Sequence, residues 1–479
     1  MYDSKFLKPE KVFSFFGEIC KIPHGSGNMK KISDYCVDFA ESRGLRYYRD
    51  KENNVIIYKG GTAGYENSDP VILQGHLDMV CQKTADSKID FESDPIEIYT
   101  HDNFIKAKNT TLGADNGIAV AMVLSILDSD DLAHPPIEAV FTTDEEIGMI
   151  GASALDTSKL KARKMINLDS EEDDVLTVSC AGGEDFSVTA EPEIKAAEGG
   201  ALTFIIKGLQ GGHSGVEIDK GRVNSNILAG RFLLNMKSAF DFDLVSISGG
   251  DKGNAIPLRT EFTLVTKDTD AAKSFALNLF DIIKKEISSR EPNFALEIYE
   301  TEHSGKAFSD ELRDKLIFIL NLVPDGITSM SREIEGLVET SLNLGVLKAD
   351  EKGIFITHAL RSNKATAIFN LADRLAVLYG NVGFEVKVGG FYPPWEFKDD
   401  STLQNLYRDT YKEVTGDDVK VEAIHAGLEC AVFADKIEGL DCIAIGPTLF
   451  DVHTINERMD ITSVEKIYNI VTKLLASLK

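Results

Sequence analysis

The chain has 479 residues, 43% of them hydrophobic and 8% aromatic, which is material for two or three packed cores rather than one. With 77 acidic residues against 51 basic ones its formal net charge is −26, so charge repulsion argues against nucleic acid or an anionic membrane as partner. Six scattered cysteines with no Cys-x-x-Cys pair argue against a thiolate zinc site or a disulfide scaffold, and fit a reducing cytoplasm.

The first 21 residues are peppered with charge and lack the apolar core of a signal peptide. Strands are predicted over 54–58 and 71–74, then a helix over 115–127 that Asp115 or Asn116 can cap. The apolar run 117–127 within it is the longest in the chain and too short to span a bilayer. Strands over 137–142 and 164–168 complete an alternation that implies an α/β sheet layered with helices.

Near Gly182-Gly183 the pattern changes. Strands at 201–208, 242–248, 258–267 and 294–299 accompany helices at 223–238 and 270–286. A second set follows: helix 309–322, strands 336–347 and 353–359, helix 364–379 and strand 384–388. Two strand-helix-strand-strand-helix-strand units, sharing or abutting at the strand near Phe294, would explain this. Pro393-Pro394 marks a break, after which helix 402–414, strand 441–445 and helix 464–478 restore the α/β pattern. The expected organisation is one α/β domain in two parts, 1–183 and 394–479, interrupted by a domain-sized insertion, 184–393.

Seven residues carry the chemistry: His76, Asp78, Asp115, Glu145, Glu146, Asp169 and His453. Each lies just past a predicted strand or at the mouth of a helix, where open α/β sheets bind ligands. Imidazoles and carboxylates dispersed in this way suit a pair of divalent metal ions. If its strand persists, His76-Leu-Asp78 places both side chains on one side, so that His76 binds metal while Asp78 accepts a hydrogen bond from its other ring nitrogen. Singly, each motif is more often structural: a helix cap at Asp115, an acidic turn at Glu145-Glu146, a surface histidine at His453. Their joint occurrence weighs against those readings. In the functional reading one glutamate of the pair binds metal, and its neighbour is left free as a general base.

Together Gln74-Gly-His76-Leu-Asp78-Met, Thr111-Leu-Gly-Ala-Asp115-Asn-Gly117, Thr143-Asp-Glu145-Glu146-Ile-Gly148 and Asn167-Leu-Asp169-Ser-Glu171-Glu172 resemble the aminoacyl-histidine dipeptidases, relatives of the carnosinases among the co-catalytic zinc peptidases. The resemblance covers essentially the whole chain. It implies a zinc-exopeptidase-like catalytic domain, a mixed sheet flanked by helices, interrupted by an α+β lid of doubled units. It implies two divalent ions, zinc foremost with cobalt or manganese as alternatives. His76, Asp115 and Asp169 would hold one, and Asp115, Glu146 and His453 the other, with a cis bond after the bridging Asp115. Glu145 matches the general base that works on a water activated between the metals, and Asp78 the carboxylate behind His76. Within Gly211-Gly-His213-Ser-Gly215, His213 matches the lid histidine that polarises the scissile carbonyl, usually from a partner subunit. Asn254 and Arg361 match residues that bind the substrate's terminal carboxylate, and Gly427 a loop lining the substrate pocket.

The implied activity is hydrolysis of Xaa-His and other dipeptides by a cytoplasmic homodimer, or by a monomer whose doubled lid replaces a partner's. Related dimetal amidohydrolases, namely N-acyl amino acid deacylases, tripeptidases and carboxypeptidases, are the alternative. The spare Glu145 argues against a non-catalytic metal- or peptide-binding protein. Cys81 stands where relatives often carry proline, and is read as packing rather than as a ligand.

Overall fold

The computed structural model describes residues 2–479. These fall into two compact units: residues up to Cys180 with Phe397–Ala423 and Leu428–Lys479, and Ala181–Glu396 with Ile424–Gly427. The boundaries therefore differ from the expected breaks at 183/184 and 393/394, and four tail residues join the second unit. The reason is local. Gly182 and Gly183 are strand residues where backbone packs closely: a Cβ on Gly182 would sit 2.4 Å from the Pro394 nitrogen, and one on Gly183 2.5 Å from the Tyr392 hydroxyl. Just before them, Ala181 N–H donates to the Ile424 carbonyl at 3.0 Å.

In the main sheet of the first unit the strands are β1 (Arg46–Arg49), β2 (Val55–Lys59), β3 (Val71–His76), β4 (Ile137–Thr142), β5 (Lys164–Asn167) and β6 (Val175–Cys180), joined by tail strands Lys420–Ile424 and Asp441–Ala444. The sheet order is β1, β2, β4, β3, β5, Asp441–Ala444, β6, Lys420–Ile424. Its centre is parallel, with β4, β3, β5 and Asp441–Ala444 side by side. The flanking pairs β1–β2 and β2–β4 and the contact of β6 with Asp441–Ala444 are antiparallel. Both faces of β3 and β4 are buried, as suits the centre of a parallel sheet. Helix α1 (Ala114–Leu127) is apolar all round and buried along its length, as suits a central helix. Parallel strands share one direction, so the carboxyl ends of β3, β4, β5 and Asp441–Ala444 lie along one edge.

The second unit contains β7 (Gly182–Ala190), β8 (Gly200–Lys207), α2 (Ser225–Ala239), β9 (Asp243–Gly249), β10 (Thr260–Thr266), α3 (Thr269–Ile287), β11 (Ala295–Thr301), α4 (Asp310–Leu322), β12 (Val338–Asp350), β13 (Gly353–Ser362), α5 (Ala365–Gly380) and β14 (Glu385–Tyr392). The main path of its sheet runs β11, β8, β10, β9, β12, β13, β7, β14. The first strand-helix-strand-strand-helix-strand unit is β8 to β11. The second does not share the strand near Phe294. That strand, β11, is an outer edge, and the second unit opens with β7, which precedes the first in sequence. One unit is thus inserted into the other between β7 and α4, and the two meet at β9 and β12, where Ile247 pairs with Ala349 and Gly249 with Leu347. Asn224, Asp268 and Ser309 cap α2, α3 and α4 with side-chain oxygens. Phe204 and Phe262, stacked at 4.9 Å, belong to the core that these helices cover.

Candidate active site

Seven residues of the first unit converge at the carboxyl edge of its sheet. Strand β3 ends at His76, so strict alternation does not reach Asp78; a turn brings it back instead. His76 Nδ1 lies 3.1 Å from the Asp78 carbonyl and 3.4 Å from its carboxylate. A carbonyl only accepts, so Nδ1 carries the proton and Nε2 is left for a ligand. Nε2 lies 3.1 Å from Asp115 Oδ1 and 3.5 Å from Asp169 Oδ1. The other Asp115 oxygen, Oδ2, lies 3.0 Å from His453 Nε2, which is 2.9 Å from Glu146 Oε1. Asp115 therefore presents one oxygen to each histidine. The Asp78 carboxylate accepts from Glu145 N–H at 3.0 Å, Glu146 N–H at 3.3 Å and the Ser26 hydroxyl at 2.8 Å, so it also holds the glutamate loop.

Asp115 does not cap α1. The N-cap is Gly113 in the left-handed region at φ 71°, Asp115 is non-helical, and the Asp115–Asn116 bond is cis. The free N–H groups at this end are taken by Glu457, whose carboxylate accepts from Leu112 at 2.7 Å, Gly113 at 3.2 Å, Ala114 at 2.8 Å and Asp115 at 3.4 Å. Asn116 ties the loop to two strands: its Oδ1 accepts from His76 N–H at 3.1 Å and its Nδ2 donates to the Leu168 carbonyl at 2.9 Å. Neither Glu457 nor Asn116 stood out in the sequence as a determinant of this site. Nothing in the spacing of Glu457, over 340 residues from the loop it holds, could have pointed to it.

The electrostatics are those of a site with surplus negative charge. Asp78, Asp115, Glu145, Glu146, Asp169, Glu429 and Glu457 form no ion pair with lysine or arginine among the described residues. Burial pushes the Asp169 carboxyl up to about 6, and drives that of Glu145 well above the carboxylate range. Hydrogen bonds to Asp115 and Glu146 push His453 up to about 11. Burial opposes charge on His76, but Asp169, Asp115 and Asp78 outweigh it and hold its pKa high. This donor set, oxygens and imidazole nitrogens held close with no protein cation between them, fits a hard or borderline divalent ion. One ligand atom from each of His76, Asp115 and Glu146 can be chosen so that all lie within 4.8 Å of one another. Cys81 is half-buried, its sulfur crowding Gly25 and its thiol pushed up to about 11 by burial.

His213, Asn254, Arg361 and Gly427 belong to the second unit. Gly212–His213 pairs with Ala255–Ile256 as a two-stranded ribbon, with His213 opposite Ala255. Asn343 donates to the Gly253 and Ala255 carbonyls at 2.8 Å each, bracketing Asn254, whose carbonyl accepts from Ser214 N–H at 2.9 Å. His213 Nδ1 accepts from the N–H groups of Gly215 at 3.1 Å and Val216 at 3.2 Å, so the ring proton is on Nε2. Burial and the Arg361 charge lower its pKa and keep the ring neutral. Arg361 donates to the Tyr392 hydroxyl at 2.7 Å and has no carboxylate within ion-pair distance among the described residues. Gly427 ends the Ile424–Gly427 segment, in which buried His425 bonds Ser341 at 2.7 Å.

Comparison with known proteins gives the family and the fold. The model of Peptidase family M20/M25/M40 matches residues 72–477, and the chain belongs to that family. It is 37% identical over 476 residues to a cytosol non-specific dipeptidase of Escherichia coli strain K12, covering 98% of each chain. The structure is similar to that of an aminoacylhistidine dipeptidase from Vibrio alginolyticus, with a TM-score of 0.91, 35% identity and 99% and 98% of the two chains covered. Aminopeptidase PepT from Bacillus cereus shares the fold at 14% identity, with a TM-score of 0.58 over 98% and 99% of the chains. The protein is thus a peptidase, with a mixed α/β architecture common to its family. No helix among the described residues is long and apolar enough to cross a membrane.

Proposed function

We propose that the chain is a dimetal dipeptidase of the cytosol that cleaves Xaa-His and other dipeptides. The observation that carries this reading is the Asp115 carboxylate, with one oxygen at 3.1 Å from His76 and the other at 3.0 Å from His453. His76, Asp115 and Asp169 would hold one ion, and Asp115, Glu146 and His453 the other; zinc suits the mixed nitrogen and oxygen donors best. Bound ions would acidify a water and polarise the scissile carbonyl. Glu145, the carboxylate left without a ligand role, takes the proton from that water and returns it to the leaving amine. Its burial supports the task, since it raises the carboxyl's affinity for the proton that it must hold between water and amine. Asp78 positions His76 and the Glu145 loop. His213, with its proton on Nε2, donates to the carbonyl oxygen as negative charge develops there. Arg361 and Asn254 bind the free C-terminal carboxylate beside the Gly427 loop, which restricts cleavage to short peptides ending at that position.

The relatives' names, a non-specific dipeptidase and an aminoacylhistidine dipeptidase, support dipeptides as the substrate class. The deciding experiment is a panel of Xaa-His and other dipeptides, tripeptides and N-acyl amino acids on enzyme reconstituted with zinc, manganese or cobalt. Dipeptides should be cleaved fastest. Faster turnover of tripeptides or N-acyl amino acids would transfer the assignment to another amidohydrolase of the same architecture.

A further inference from the structure

Beneath the two histidines and five carboxylates of the site lies a further carboxylate with no assigned task. Glu429 opens the helix Glu429–Lys436, is fully buried, and forms no ion pair with lysine, arginine or histidine among the described residues. Its Oε2 accepts from the Thr142 hydroxyl at 2.7 Å and from the Gln74 amide. Gln74 in turn accepts at Oε1 from Asn167 Nδ2 at 2.5 Å, and its amide nitrogen lies 3.2 Å from the Thr142 hydroxyl oxygen. Each partner is a strand end next to the site: Gln74 is two residues before His76, Thr142 precedes Glu145 and Glu146 in the turn leaving β4, and Asn167 is two residues before Asp169. One side chain from the tail thus links the three adjacent parallel strands that deliver the candidate ligands and base. Its second oxygen, Oε1, is buried without a partner.

We infer that Glu429 is a positioning residue for the metal centre, tying the ends of β3, β4 and β5 into one frame and adding negative charge beneath the ions. The inference rests on the metal-centre reading above. An uncompensated carboxylate in a dry interior is unfavourable on its own account. It is tolerated here because divalent cations would sit above it, and Glu429 is within electrostatic reach of His76, Asp169 and Asp78. A residue kept only to stabilise the fold behaves in the opposite way. Neutralising Glu429 should relieve the metal-free protein while weakening its hold on the ion.

The test is Glu429→Gln in the full chain, stripped of metal and titrated with Zn2+ alone by calorimetry, with thermal melting of the metal-free form alongside. Zn2+ affinity should fall by roughly tenfold to a hundredfold, the range for residues that support ligands, while the metal-free melting temperature stays equal or rises. Unchanged affinity would overturn the inference, as would a loss of affinity accompanied by a lower metal-free melting temperature, which marks a merely structural role. If the variant does not fold, Thr142→Val removes one of the two bonds to Glu429 without touching the charge. It should weaken Zn2+ binding by a smaller factor, and unchanged binding there would equally overturn the inference. Failure of the wild-type protein to bind Zn2+, Mn2+ or Co2+ would instead remove the metal-centre reading itself.

Discussion

The two units carry opposite electrostatic deficits. In the first, carboxylates crowd around His76 and His453 with no lysine or arginine paired to them. In the second, Arg361 stands without a carboxylate partner, with the neutral imidazoles of His213 and His425 in its field. Unpaired buried charge is destabilising wherever it occurs. Under the proposed function the first unit's surplus of carboxylates would serve cations, and the half-buried Arg361 of the second, with no carboxylate in ion-pair distance among the described residues, would serve an anion. In that proposal the free carboxylate of a dipeptide would be the anion and the two metal ions the cations.

The sharpest way to break this division of labour is to remove the acidic group that the proposed function assigns to proton transfer. Glu145→Gln should lower kcat by about 10²–10⁴-fold, the usual contribution of a general acid–base, with Zn2+ affinity within a few-fold of wild type. Loss of metal instead of turnover would make Glu145 a ligand. The matching change in the second unit is Arg361→Ala. It should cost about 2–5 kcal/mol in kcat/KM, the range for losing one partner of a buried charged pair, and leave Zn2+ affinity unchanged. Its effect should vanish on C-terminally amidated dipeptides. A variant that discriminates acid from amide as well as wild type does would move the carboxylate site elsewhere.

The same contrast explains what the sequence made legible. The first unit's seven residues could be read because each sits at a strand end or helix mouth, where local pattern and ligand chemistry coincide. What holds them could not be read. Glu457 caps a loop more than 340 positions away, and Glu429 binds a strand more than 280 positions away; neither contact has a periodicity. The cap expected of Asp115 was displaced because the side chain is turned to the two histidines and Glu457 serves the N–H groups instead. In the second unit the element pattern was readable from alternation and caps. Its nesting was not, because β7 pairs with strands from beyond an entire inserted unit. Asn343, which brackets Asn254, looks in sequence like any polar residue in a strand.

Glu457 offers a smaller effect confined to the first unit. Glu457→Ala strips the acceptor from four N–H groups at the mouth of α1, and leaving buried donors unsatisfied costs about 1–3 kcal/mol. Chemical denaturation should report that loss, and hydrogen exchange should place it in 112–116. A variant as stable as wild type would mean that water replaces the carboxylate. Because Asp115 lies in the same loop, Zn2+ binding should weaken in parallel.

The smallest effect, and the most direct reading of the contrast, is the pH response of the metal-free protein's stability. In the second unit, burial pushes His358 down to about 3 from an ordinary 6.5, and burial with the Arg361 charge does the same to His425. The unfolded chain protonates these rings as pH falls through 6.5, while the folded unit does not until about 3. Their stabilisation is therefore complete above 6.5 and drains away between the two values. Asp325, pushed up to about 6 by burial, works the other way, but it is one carboxylate against two imidazoles and is silent above that pH. In the first unit burial lifts Glu429 and Glu457 to about 7 from 4.5. The folded unit keeps protons that the unfolded chain releases as pH rises through 4.5. That stabilisation is complete below 4.5 and is lost on the way up to about 7, and Asp169, raised to about 6, has the same sign. In the first unit His24 and His134, whose pKa values burial lowers, oppose that gain, while Glu171, lifted to about 7, and His453, lifted to about 11, add to it. Hydrogen exchange on metal-free protein, corrected for intrinsic rates, should therefore show α5 and β13 losing protection between about pH 7.5 and about pH 5.5 while α1 and β3 gain it. Added Zn2+ should abolish the gain in the first unit and leave the loss in the second, because only the first unit's carboxylates answer to a cation. Parallel movement of the two units would show that they respond to acid as one body, and that the opposite charge deficits do not govern their stability.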